Sequence, residues 1–211
     1  FPVHILALII VMRVLLNYLG ALAGYKSMEI APNAGYSLVI QKSYAVYTLF
    51  AAAFLYGSEI SVYKFFVAGF VLICAGYIGF SNKGAKEVQG SKWALYAVVA
   101  LLSFGTVALT TKYFAKLGVG PVPLLFWSCI FTSILALADS WRIKVKIGTQ
   151  EKWKLMYMII LGLSVTGFNY YKLVAEIAAP NLGYVGAVNA ASNAIYAVLV
   201  ALIFKDALSK S

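Results

Sequence analysis

Three basic residues stand at membrane depth in the long apolar runs of this chain, where a charge is costly and needs a reason. Lys42 lies eight residues into the run from Ala34 to Tyr56. That is ~12 Å along a helix rising about 1.5 Å per residue, near the midplane of a hydrocarbon core about 30 Å thick, too deep to snorkel easily. Its ammonium either meets an acid on another helix or serves a solute or coupling ion. Lys172 shares one helical face with Asn169 and Glu176, so Lys172 and Glu176 at i, i+4 either neutralise each other or leave Lys172 for a ligand. Arg13 and Asn17 also stand at i, i+4, with Gly20 and Gly24 continuing that face. The guanidinium either clamps an anionic group in a bidentate fashion or pairs with Glu176 across helices. Three bases with Glu176 as the acid beside them favour an anionic or carboxylate-bearing solute.

Neutral polar residues fall into stripes on two of the same runs. Ser37, Gln41, Tyr44 and Thr48 recur at i, i+4, i+7 and i+11, with Lys42 at their border, and Gly186, Asn189, Asn193 and Tyr196 form a second stripe. Such side chains either bridge helices by hydrogen bonds or line a wet cavity. Tyr170 and Tyr171, beside Asn169, are either cavity-lining or interfacial. The candidate binding set is therefore Lys42, Gln41, Tyr44, Asn169, Lys172, Asn189, Asn193 and Arg13. Cys74 and Cys129 lie in apolar runs, and His4 has no partner motif, so neither a disulfide framework nor a metal site is expected. No His-Glu, paired-Asp or Ser/His arrangement lies at membrane depth, which argues against an enzyme and implies no cofactor.

The elements that position these residues are membrane spans. Hydrophobic residues make up 63% of the chain against 11% charged, more apolar surface than a water-soluble domain of this length hides, and the lipid bilayer is the expected surrounding. The formal charge of +10 does not point to nucleic acid, because most of the bases sit in short connectors between apolar runs. Seven runs are long enough to cross as helices: Val3–Ala23, Ala34–Tyr56, Val62–Phe80, Trp93–Ala115, Val119–Ala138, Leu155–Ala178 and Leu182–Phe204. The fold class is all-α. Trp93, Trp141 and Trp153 suit an interfacial belt. In the third run Ala68, Gly69, Ala75, Gly76 and Gly79 form a small-residue face for helix packing or a homodimer contact. With Phe1 first and no basic leader before the first run, the sequence reads as cut at its start.

Part of the chain is written twice. Ala31, Pro32, Asn33, Gly35 and Tyr36 recur 148 residues later as Ala179, Pro180, Asn181, Gly183 and Tyr184. At a shift of 149, Ser43, Ala45, Tyr47 and Ala52 recur as Ser192, Ala194, Tyr196 and Ala201. The first and second spans thus match the sixth and seventh. The complete unit implied has five spans, with residues 1–82 holding the last three of one half and residues 91–211 the first four of the other. An odd number inverts the second half, so Pro32 and Pro180 should lie on opposite membrane faces, as in inverted-repeat carriers.

Two five-span halves, each with Pro entering its fourth span and an acid just past that span's exit, resemble the drug/metabolite transporter superfamily, particularly its EamA-like members. Glu59 in Gly57-Ser58-Glu59 and Asp206 in Lys205-Asp206 are the matching acids. The resemblance implies a ten-helix carrier of small metabolites that works by alternating access. Its cavity would be lined by the first, second, fourth, sixth and seventh spans seen here. The second and seventh spans would then be paired central helices, Gln41 and Tyr44 facing Asn189 and Asn193. A seven-helix receptor is the alternative, although a retinal protein needs a mid-span lysine that the last run lacks before Lys205. Orientation stays open: the positive-inside rule makes the Lys- and Arg-rich face cytoplasmic, and a ten-span member with both termini cytoplasmic would put that face outside.

Overall fold

The computed structural model describes residues 2–31, 34–63, 65–70, 73, 92–144 and 152–191, and those in regular structure are helical throughout. Five helices are long and apolar enough to cross a membrane: Val3–Ile30, Tyr36–Tyr56, Lys92–Lys116, Pro121–Arg142 and Trp153–Ala178, with a shorter apolar helix at Leu182–Ala191. Most of the third expected span and the second half of the seventh lie outside the described residues, as do Pro32 and Asn193.

Most of the spanning helices are longer than the apolar runs that announce them. The first continues past Ala23 to Ile30, where Lys26 and Glu29 pair at 2.9 Å across one turn. The fifth expected span starts at Pro121 instead of Val119 and reaches Arg142. Gly120 is extended there, and a proline in the first turn gives up an N–H that has no intrahelical partner anyway. An Asp139–Arg142 pair at 2.7 Å supports the other end. Charged end residues lower the hydropathy without opposing the helix, so hydropathy marks the bilayer and the backbone overshoots it.

Two irregularities interrupt these spans. The first consists of α1 (Val3–Ile9), a π-helical segment (Ile10–Leu15) and α2 (Leu16–Ile30). The wider π turn, bonded i to i+5, lets Ile9 and Val14 face one core together. The second span divides into α3 (Ala34–Lys42) and α4 (Tyr44–Tyr56) at Ser43, whose N–H reaches Val39 and Ile40 carbonyls and whose Oγ donates to the Val39 carbonyl at 2.9 Å. A serine hydroxyl bonded back to the preceding turn bends a helix. Gly57 closes α4 in the left-handed conformation (φ 63°) that glycine adopts without cost. Further helices are α5 (Lys92–Lys116), α6 (Pro121–Arg142), α7 (Lys152–Ala178) and α8 (Leu182–Ala191).

The chain forms two compact units, with boundaries inside continuous helices at Leu15/Leu16 and Leu109/Thr110, and again at Ala178/Ala179. The first unit, residues 1–15 and 110–178, packs Ile9, Val14, Phe114, Val119, Leu124 and Leu173 into a core. Ile5, Leu8, Trp127 and Phe131 flank it. In the second unit, residues 16–109 and 179–211, Ala52, Leu109 and Leu182 cluster beneath Tyr47 and Tyr56. There α4 meets α8 at backbone distance: a Cβ added to Gly183 would stand 2.7 Å from Leu49 Cα and 2.9 Å from the Ala45 carbonyl oxygen. Small residues permit this approach between membrane helices.

Candidate functional site

The first unit builds one polar cluster out of three of its helical segments and the end of α5. Arg13 projects from the π segment; its Nη1 donates to Thr111 Oγ1 at 2.8 Å and its Nε to Ser128 Oγ at 3.1 Å. Thr111 Oγ1 in turn donates to Glu176 Oε2 at 2.7 Å. Lys172 Nζ stands 3.6 Å from Glu176 Oε1, one helical turn away on α7. Thr111 and Glu176 are buried, whereas 29% of the Lys172 side chain stays exposed. The single hydroxyl of Thr111 therefore links a guanidinium to a carboxylate, accepting from one and donating to the other. Two cations and one anion share this space, and charge-assisted hydrogen bonds are the strong kind.

The cluster sits toward one end of the unit. The turn 117–120 joins α5 to α6, so Lys116 and Pro121 lie together, and the Thr111–Glu176 bond brings the end of α7 beside them. At about 1.5 Å per residue, Glu176 is ~3 Å and Thr111 ~8 Å from their helix ends, and Ser128 ~10 Å from its helix start. Arg13 is deeper, ~15 Å along its helix.

The second unit gathers the neutral polar residues. Ser27 Oγ donates to the Trp93 carbonyl (2.7 Å), Ser37 Oγ to Ser27 Oγ (2.7 Å), and Gln41 Nε2 to Ser37 Oγ (2.8 Å) and the Gly24 carbonyl (3.3 Å). Ser27, Ser37 and Gln41 are buried, so this chain ties α2 and α3 to the start of α5. Gln41 thus bonds toward α2. On α4, Tyr44 OH accepts from Asn189 Nδ2 of α8 at 3.0 Å, a direct bond between the second and seventh spans. Asn181 is fully buried, holding the Leu49 carbonyl (3.2 Å) through Nδ2 and the Gly183 N–H (2.9 Å) through Oδ1, which caps α8. Tyr184 OH meets the Ser61 N–H (3.1 Å) and the Glu59 carbonyl (3.4 Å), pinning the loop that carries the acid of the sequence motif.

Of the expected binding residues, Arg13 and Lys172 thus lie in the first unit and meet at Glu176. Gln41, Tyr44 and Asn189 lie in the second. Lys42 is the last residue of α3, partly buried, where the break at Ser43 begins; a helix C-terminus favours a cation. Asn169 is partly buried on α7, and Asn193 lies outside the described residues. Thr111 and Ser128 carry no signal of their own in the sequence, since hydroxyl residues are common in apolar helices. The expected pairing of Arg13 with Glu176 across helices runs through the Thr111 hydroxyl, which the sequence did not single out. Among the described residues no buried side-chain nitrogen or oxygen lacks a hydrogen-bond partner.

Five spanning helices with ionic groups sequestered among them define a multi-pass integral membrane protein. The chain belongs to the EamA-like transporter family, whose sequence model matches residues 91–211, and with it to the drug/metabolite transporter superfamily. No curated protein and no solved structure matches it.

Proposed function

We propose that the protein is a secondary carrier that moves a small anionic metabolite by alternating access between two inverted halves, residues 1–82 and 91–211. The observation that carries this reading is the Arg13–Thr111–Glu176–Lys172 cluster: two cations against one anion gathered among spanning helices, in a member of a transporter family. The part-exposed Lys172 offers a solute its first contact, and Arg13, held on Thr111 and Ser128, adds a second positive charge behind it. Lys42 at the α3/α4 break supplies a further cation beside discontinuous backbone, a feature that carriers use at their binding sites. Tyr44, Asn189 and Asn193 of the second and seventh spans would belong to the moving helices and Asn169 to the polar lining, while Gln41 ties α3 to α2.

The test is uptake into liposomes containing the protein expressed from its complete coding sequence. Labelled gluconate and pyroglutamate, both monoanions, are compared with choline. Uptake of a monoanion that exceeds choline uptake, and that falls at least tenfold in Lys42→Ala or Lys172→Ala, is the expected result. Preference for choline, or monoanion uptake unchanged in both variants, overturns the anionic reading.

A further inference from the structure

Two bases and one acid meet in the first unit's cluster, and hydrogen bonding alone does not explain why position 176 carries a charge. Thr111 has a single hydroxyl proton; with Arg13 Nη1 donating to its oxygen at 2.8 Å, that proton goes to Glu176 Oε2 at 2.7 Å. A neutral amide oxygen would accept it equally well. What the carboxylate adds is one negative charge, set between Thr111 on Oε2 and Lys172, 3.6 Å from Oε1. Against Arg13 and Lys172 it leaves a surplus of one positive charge. We propose, resting on the anionic reading above, that Glu176 sets the valence of the carried anion: it offsets one of the two cations, so that the site accepts an anion of single charge and rejects a dianion of similar size.

The arrangement keeps that count fixed while a solute comes and goes. Glu176 is buried and bonded to α5, and Arg13 is held by Ser128 of α6 as well as by Thr111, so neither has the freedom of a surface side chain. Lys172 is the adaptable member. Part-exposed and beyond ordinary hydrogen-bond distance from Glu176, its ammonium can turn to an incoming anion without breaking any bond that holds one helix to another. A monoanion seated there brings the sum of the three charged side chains and itself to zero. A dianion leaves one negative charge in excess beside the Glu176 carboxylate, and an uncompensated charge away from water is costly. A neutral solute leaves the positive surplus as it was and gains no ionic contact. Lys112 and Lys116 stand one turn apart at the end of α5, and Lys112, next to Thr111 in the chain, projects about 100° away from it around the helix. Water at the helix end screens these two, so they draw any anion toward the cluster without discriminating its valence.

The experiment uses the same liposomes with the membrane potential held at zero by potassium and valinomycin. Each monoanion is compared with a dianion of similar size: gluconate with glucarate, in which a carboxylate replaces the terminal hydroxymethyl, and pyroglutamate with glutarate, whose equal carbon chain ends in two carboxylates. The unaltered protein is expected to take up the monoanion at least tenfold faster than its dianion. Glu176→Gln, which still accepts from Thr111, raises the surplus to two positive charges. Asn169→Lys does the same by adding a base one turn before Lys172 on the same face of α7, and touches none of the bonds named above. Both variants are expected to shift the uptake ratio at least tenfold toward the dianion. The ratio is read on one batch of vesicles, so a lower yield of folded protein does not move it. Equal uptake of monoanion and dianion by the unaltered protein, or a preference for the dianion, overturns the inference and leaves the carrier reading standing. A ratio left unchanged in either variant that still transports overturns it too, as does loss of all uptake in both, because a charge that only sets valence is not needed for transport. If neither monoanion nor dianion moves in any condition, the anionic reading itself fails and the inference falls with it.

Discussion

Thr111 is the residue on which the first unit's polar cluster turns. Replacing it by valine keeps the shape and removes the hydroxyl, so Arg13 Nη1 loses an acceptor and Glu176 Oε2 a donor in a buried place. Leaving such partners unsatisfied costs about 1–3 kcal/mol, more when they are charged. Thr166 is the internal control, because its hydroxyl bonds back to the Gly162 carbonyl at 2.8 Å on an exposed face of α7. Thr166→Val should change stability by no more than about 0.5 kcal/mol. Thermal unfolding in one detergent should therefore separate the two variants by several degrees, and equal midpoints would show that the cluster contributes nothing to the fold. The sequence made Arg13, Lys172 and Glu176 visible because charges are rare in apolar runs. It hid Thr111 because a hydroxyl in a membrane helix is usually satisfied by its own preceding turn, as Thr166 and Ser164 are.

At the scale of the elements, what was legible is the apolar period and length, and what was not is where helices bend. Neither Ile10–Leu15 nor Ser43 contains the Pro or Gly that announces a distortion. The π turn follows from Ile9 and Val14 both needing the same core, a tertiary demand that local sequence does not show. Close helix approaches are legible only as small residues, and the structure separates those that matter from those that do not. At Gly183 an added methyl meets α4 backbone, and at Gly105 it would run into the Tyr47 ring, while at Gly162 nothing lies within 4 Å. Gly183→Ala should accordingly destabilise by about 1–3 kcal/mol through overpacking. Gly162→Ala should stabilise by roughly 0.5–1 kcal/mol, since alanine is the better helix former and the site is open. Folded yield and unfolding midpoint of the two variants measure this. A Gly183→Ala protein as stable as its parent would mean that α4 and α8 part easily.

For the whole molecule the outstanding question is which way the cluster opens, and the charges of the first unit bear on it. One end of that unit carries Arg142 and Lys144 after α6 and Lys152 and Lys154 at the start of α7, whereas the end nearer Thr111 and Glu176 carries Lys112 and Lys116. By the positive-inside rule the first end is cytoplasmic, because basic residues flanking a span resist translocation. The Arg13–Glu176 cluster then lies in the opposite half of the membrane. The ten-span frame with cytoplasmic termini gives the reverse orientation, so a direct measurement decides between them. Leu117 and Ile143 are both exposed and stand in the turns at opposite ends. With Cys74 and the exposed Cys129 both replaced by serine as background, Leu117→Cys should react with a membrane-impermeant maleimide in intact cells, and Ile143→Cys only after the membrane is opened. The reverse pattern would turn the cluster toward the cytoplasm.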